Sequence, residues 1–80
     1  MKQETKIPLC HLSVGMKGRV LDLLSTELPR RRMLDLGLVP GTIVEVLRKS
    51  PLGDPVAYNI RGAIIALREE EALKILVRPI

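Results

Sequence analysis

Catalysis by this chain would have to start from Cys10 and His11, its single cysteine and single histidine. A thiol and an imidazole form a nucleophile–base pair only when they face one another. Neighbouring residues of strand or coil point in different directions, so these two make a poor pair. They also offer a metal just two ligands, with no spaced second pair, whereas a tight transition-metal site needs several converging donors. A buried thiol beside a surface imidazole is the simpler reading, and transient metal binding at a dimer interface has no support in the sequence. Glu69, Glu70 and Glu71 form a charge run in a helix-favouring stretch, most simply a solvated face. Gly37 to Gly41 lacks the Lys-Ser/Thr ending of a phosphate-cradling loop. The expectation is no catalytic residue, no metal site, no cofactor and no enzyme activity.

Binding is the chemistry that remains. Arg30, Arg31 and Arg32 are consecutive and fall in the first half of a short predicted helix. Positive charge there opposes the helix dipole by about 0.3–1 kcal/mol. Glu27 lies four residues before Arg31, and Asp35 lies three and four residues after Arg32 and Arg31. Such pairs return only about 0.2–0.5 kcal/mol each, so relief is partial. The three arginines are therefore either a solvated face or a contact for an acidic or phosphate-bearing partner. An arginine finger acting on a transferring phosphoryl group needs one defined arginine, which three neighbours do not identify. Leu52 sits in the Pro- and Gly-rich loop 49–55 and is a candidate apolar anchor, or a lid on the core. Leu23 with Leu24, Ile43 with Val44, and Ile64 with Ile65 put apolar side chains on both faces of their strands. A small barrel holds about one row per strand inside. The remainder predicts an exposed apolar patch, unless the helix, tail and loop cover it.

The elements that position these residues can be read from local signals. Residues 17–24 read as a strand whose apolar positions fall on both faces. Thr26 caps a helix to about Leu36, with Pro29 tolerated in its first turn. Gly37 ends it as the left-handed C′ residue, with Leu38 folding back on Met33. Pro40-Gly41 turns the chain into the clearest strand, 42–48, which is β-branched at four of its first five positions. Strands 56–60 and 63–67 join across Arg61-Gly62 as a tight hairpin. One helical turn over 68–72 precedes a closing strand through Ile75 and Val77, ended by Pro79. Five short strands and one short α-helix predict an all-β SH3-like barrel, with residues 1–8 a flexible tail and 9–80 the domain.

Length and composition agree with one domain. The chain has 80 residues, 46% of them hydrophobic, with one Tyr and no Trp or Phe. A lone cysteine cannot staple the fold, and no apolar stretch near the start resembles a signal peptide. The apolar run 63–67 is too short to span a bilayer, so a cytoplasmic protein without membrane insertion is expected. The net charge of +4 is compatible with an acidic partner, a membrane surface or nucleic acid, and does not choose among them.

Taken in order, several segments resemble the FeoA (ferrous iron transport protein A) family. They are Leu12-Ser13-Val14-Gly15, Gly18-Arg19-Val20, the run RMLDLGLVPGT from Arg32 to Thr42, and PLGDP from Pro51 to Pro55. Arg61-Gly62 through Ala66-Leu67-Arg68, then Glu71-Ala72 and Val77, extend the resemblance over nearly the whole chain from about Leu9. Asp22 departs from the family pattern, standing where an apolar residue is common, as do the three arginines beginning at Arg30. The resemblance implies an SH3-like barrel and a cytoplasmic accessory role in bacterial ferrous iron uptake. The implied partner is the membrane ferrous iron transporter with a cytosolic G-protein domain, FeoB, and self-association is a further possibility. Similar domains are also fused to metal-dependent repressors, so fold alone does not fix the partner. The matched turn residues Gly15, Gly37, Pro40, Gly41, Pro51, Gly53, Pro55 and Gly62 build backbone and do no chemistry.

Two rival functions differ in what they require. Gly15, Gly18 and Val20 also resemble ribosomal barrel modules, which raises RNA binding as an alternative. RNA readout leans on aromatic stacking, and Tyr58 is the sole aromatic residue. The small basic surplus also argues against a phosphate binder, and a proline-peptide groove needs several aromatics. Docking onto another protein is the function the sequence favours.

Overall fold

Alternation decides the interior wherever it is regular. Val56, Tyr58 and Ile60 are buried, while Ala57 and Asn59 between them are half-buried, so this strand shows one face to the core. The computed structural model describes residues 5–80 and folds them into an antiparallel sheet of six strands in the order β1-β6-β2-β3-β4-β5. The strands are β1 (Ile7–Pro8), β2 (Lys17–Leu23), β3 (Ile43–Lys49), β4 (Val56–Ile60), β5 (Ala63–Leu67) and β6 (Ile75–Pro79). A 3-10 turn over Leu9–His11 follows β1, α1 (Glu27–Asp35) joins β2 to β3, and α2 (Glu69–Ala72) joins β5 to β6. The core gathers Leu9, Leu38, Val44, Tyr58, Leu67 and Ile75 at its centre, and no polar or charged residue is buried among the described residues.

The predicted five strands are six. The sequence reading ends its tail at Pro8, but Ile7 and Pro8 pair with Val77 and Leu76. A two-residue strand leaves no alternation to detect, and its pairing comes from β6, seventy residues away along the chain. Residues 1–4 of the expected tail lie outside the described residues.

The ambiguity of residues 17–24 has a structural cause. The β2–β6 register steps from Val20↔Val77 to Asp22↔Leu76, so Leu21 is an extra residue in a bulge. The bulge changes parity, and Val20 and Leu23 both point inward although they are an odd three positions apart. Asp22 therefore faces out, its Oδ1 accepting the Leu23 N–H at 2.8 Å. Leu47 plays the same part in β3, where the register steps from Val46↔Tyr58 to Arg48↔Ala57.

Helix α1 stops as its sequence predicts. The Leu38 N–H donates to the Met33 carbonyl and the Gly37 N–H to the Leu34 carbonyl, both at 3.0 Å, and Gly37 has φ of 98°. This is the paired bonding of a Schellman cap, with Leu38 and Met33 both buried beside it. Thr26 takes the N-cap position, but its hydroxyl makes no capping bond. At the hairpin, Arg61 and Gly62 both have positive φ, 53° and 88°, which defines a two-residue type I′ turn. Asn59 Oδ1 accepts the Gly62 N–H at 3.0 Å and holds the turn closed.

Candidate functional site

The three arginines of α1 part company. Arg30 is half-buried, and its Nη1 reaches back to the Leu23 carbonyl at 3.4 Å, tying the helix to the end of β2. Arg32 pairs with Glu71 on α2. Arg31 is exposed and has no hydrogen bond or ion pair among the described residues. The local relief expected from Glu27 and Asp35 does not form: neither carboxylate pairs with an arginine of α1. The helix instead spends its charge on other elements, because Glu71 is better placed than any intrahelical acid. Of the predicted trio, Arg31 alone is exposed without a contact among the described residues, while Arg30 and Arg32 tie α1 to other elements.

Glu71 is the joint of this surface. One oxygen receives Arg32, and the other accepts the Arg68 backbone N–H at 3.0 Å, closing the first turn of α2. The Arg68 N–H, with Arg32 beside it, holds the Glu71 carboxyl below its ordinary range, although partial burial works the other way. The start of α2 is tied in turn to the 50–55 loop. Asp54 Oδ1 accepts the Glu69 N–H at 2.9 Å, and Asp54 Oδ2 lies 3.9 Å from Arg68 Nη1. Inside that loop the Gly53 N–H donates to the Ser50 carbonyl at 2.8 Å and the Ser50 N–H to the Pro55 carbonyl at 3.1 Å. Leu52 rides the tip of this closed loop and is 95% exposed. It is not a lid on the core.

A continuous series of polar contacts therefore runs from α1 through α2 to the loop that carries Leu52. The sequence reading singled out both ends of this series but not its middle, Glu71 and Asp54, because a charge run and a loop aspartate carry no local sign of pairing. It also missed Leu28, which is 78% exposed on the first turn of α1, three residues from Arg31 and hence on the same helix face. The expected apolar remainder is present. Leu24, Ile43 and Ile64 are exposed, whereas their neighbours Leu23 and Val44 are buried and Ile65 is half-buried. Each pair sends one side chain in and one out.

Cys10 and His11 lie in the 3-10 turn, which packs beside α2 but adds no group to this series of contacts. Burial, with the Glu69 carboxylate adding to it, pushes the Cys10 thiol up, which disfavours the thiolate that nucleophiles and metal ligands need. His11 is exposed. No three His, Cys, Asp or Glu side chains converge as a metal cluster among the described residues. Among the described residues no helix is long and apolar enough to cross a membrane.

A six-stranded antiparallel sheet with two bulges and two short helices is the architecture of a small barrel of the SH3-like class. The family model for the FeoA domain matches residues 7–79, and the chain belongs to that family. It is 35% identical over 69 residues to an Fe(2+) transport protein A/Fe(2+) transporter FeoB fusion protein of Porphyromonas gingivalis, covering 86% of this chain and 8% of that protein. The chain thus spans a small part of that relative's length. Among solved structures, the FeoA protein of Chlorobium tepidum is 38% identical with a TM-score of 0.86, covering 92% of this chain and 70% of that one. The zinc complex of Stenotrophomonas maltophilia FeoA, described as a procaryotic SH3 domain protein, is 27% identical with a TM-score of 0.77 and covers 86% of each chain.

Proposed function

We propose that this chain is a non-enzymatic, cytoplasmic accessory of ferrous iron uptake that docks onto the cytosolic GTP-binding part of a FeoB-type transporter. The observation that carries the reading is the Porphyromonas gingivalis relative, in which a homologous segment and the transporter are one polypeptide. Fusion makes two partners neighbours by covalent linkage, and a separate chain must reach the same proximity by binding. Leu52 supplies an exposed apolar side chain on a loop already braced, so little ordering entropy is lost on contact. Arg31 supplies a charge with no competing internal partner among the described residues, and Leu28 widens the apolar contact beside it.

Capture of the transporter's purified cytosolic domain tests this directly. Wild-type protein retains it, and Leu52→Glu and Arg31→Glu each weaken retention at least tenfold with unchanged thermal stability, a change of about 1.4 kcal/mol. Arg32→Ala is a poorer probe because it also releases Glu71. Absence of capture by the wild type overturns the partner; equal capture by both variants overturns the docking face.

A further inference from the structure

The outer face of the sheet carries a charge imbalance that the fold does not use. Gly18, Val44 and Ile60 are buried, so their neighbours Lys17, Arg19, Ile43, Glu45 and Asn59 lie on the outside of β2, β3 and β4. Strand pairing sets Lys17 beside Glu45, Arg19 beside Ile43, and Asn59 between Glu45 and Ile64. Lys17, Ile43, Glu45, Asn59 and Arg61 line a cleft of about 220 Å³. A second hollow, of about 540 Å³ over Pro40 and Thr42, shares Ile43 and Arg61 with it.

Donors outnumber acceptors in this cleft. The Lys17 ammonium and the Arg61 guanidinium make no hydrogen bond or ion pair among the described residues. Asn59 Oδ1 is taken by the Gly62 N–H, which leaves its Nδ2 as a further donor. Arg19 Nη1 donates to the Gly41 carbonyl at 3.1 Å, holding a third cation beside Ile43, and Arg78 stands opposite Arg19 in β6. Glu45 is the single carboxylate lining the cleft. The acids of α1, α2 and the 50–55 loop belong to the other polar series. Two aliphatic side chains stand among these cations, Ile43 and Ile64, 45% and 66% exposed.

We infer that this face rests on an anionic phospholipid surface, with a headgroup phosphate in the cleft between Lys17 and Arg61 and with Ile43 and Ile64 against the acyl boundary. Charge complementarity selects a polyanion, and the remaining side chains select among polyanions. A nucleic acid needs aromatic platforms for its bases, and the one aromatic residue, Tyr58, is buried. An acidic protein segment has to match scattered cations and two isoleucines in a single register. A headgroup layer presents anions with hydrocarbon just beneath them at every point of its plane, so it satisfies both without register. Arg61 suits the phosphate because a guanidinium donates to two of its oxygens at once. Binding of this kind lies on the membrane and does not cross it. Position along the strands keeps this face apart from the docking loop. The loop bearing Leu52 joins the end of β3 to the start of β4, whereas Ile43 begins β3 and Arg61 follows β4. The two surfaces are about 20 Å apart, the length of β3, and one molecule can use both.

Vesicle flotation of the full chain tests this, with phosphatidylcholine vesicles against vesicles carrying about a third phosphatidylserine. The protein is expected to float with the anionic vesicles only, and to be released as salt rises from about 0.1 to 0.5 M. Lys17→Glu and Arg61→Glu each weaken binding at least tenfold, as reversal of one charge near an anionic surface requires. Lys74→Glu makes the same change in net charge at the junction of α2 and β6, beside Leu24, and leaves binding within twofold. Ile64→Asn weakens it severalfold at unchanged thermal stability. Absence of binding to anionic vesicles overturns the inference, as does equal binding to neutral ones. A Lys74→Glu loss as large as that of Lys17→Glu reduces the effect to net charge and overturns the face. Tighter binding of polyglutamate or single-stranded RNA than of anionic vesicles at the same salt overturns lipid as the occupant. The vesicles hold no transporter, so these results stand or fall apart from the docking reading.

Discussion

Replacing Gly18 with alanine asks whether this glycine is present for want of space rather than for backbone freedom. Gly18 is buried in β2, between Val44 of β3 and Pro79 of β6. A Cβ built on it would lie 2.9 Å from Leu12 Cδ1, 3.0 Å from Val77 Cγ2 and 3.1 Å from Val77 Cβ. The leucine methyl can swing away, but Val77 Cβ is fixed to its backbone in β6, so the two strands must part. Overpacking of this kind costs about 1–3 kcal/mol. Restricting the unfolded chain gives back about 0.4–1 kcal/mol, which leaves a net loss of about 1–2 kcal/mol. For a domain of this size that loss lowers Tm by about 4–16 °C. Thermal unfolding followed by circular dichroism measures it, and a cycle with Val77→Ala locates the cause. In the Val77→Ala background the Gly18→Ala penalty should shrink by at least about 0.5 kcal/mol, since the nearest valine methyl is gone. A Gly18→Ala variant as stable as wild type would refute the steric account, and a penalty unchanged by Val77→Ala would assign the clash to the Val77 Cβ, which alanine keeps.

Gly37→Ala should be destabilising for two reasons at once, its φ of 98° and the Arg61 Cδ that a new Cβ would meet at 3.0 Å. We expect a loss of about 1–2 kcal/mol by denaturant titration, whereas Gly15→Ala, with nothing within 4 Å of its Cβ, carries the φ penalty alone. Burial raises the Tyr58 pKa from 10.0 to about 12. Because the folded value lies above the unfolded one, the stabilisation is whole below pH 10 and is lost as pH rises toward 12. Tyr58 is the only aromatic residue, so tyrosinate absorbance reads it without interference, and titration of the native protein near pH 10 would contradict the burial. Glu71 has the opposite sign: its folded pKa is depressed from 4.5, so its contribution is present above that value and lost as pH falls below it. Glu71→Gln should flatten the acid limb of the stability curve, and an unaltered limb would remove Glu71 from the scaffold.

Much of the fold was legible because its signals are local. The Gly37 cap, the Arg61-Gly62 hairpin and the strands 56–60 and 63–67 each rest on residues adjacent in the chain, and the structure forms them where the sequence puts them. The paired apolar residues also foretold a bare remainder, and Leu24, Ile43 and Ile64 are that remainder. What failed to show lies between distant segments. β1 exists only through β6, and the bulge at Leu21 exists only as a mismatch between β2 and β6. Arg32 likewise chose Glu71, thirty-nine residues away, over the nearby Asp35, a preference no helical spacing encodes. Leu28 was passed over because a leucine in a predicted helix is ordinarily counted toward the core.

The bulges at Leu21 and Leu47 have an evolutionary corollary. Removing Leu21 would leave Val20, Asp22 and Leu23 in plain alternation, with the same side chains inward and outward as before. Excision of Leu47 would likewise leave Val46 inward and Arg48 outward. These are two places where a lineage can gain or shed a single residue without turning its strand inside out, and insertions or deletions within strands of related chains should gather there.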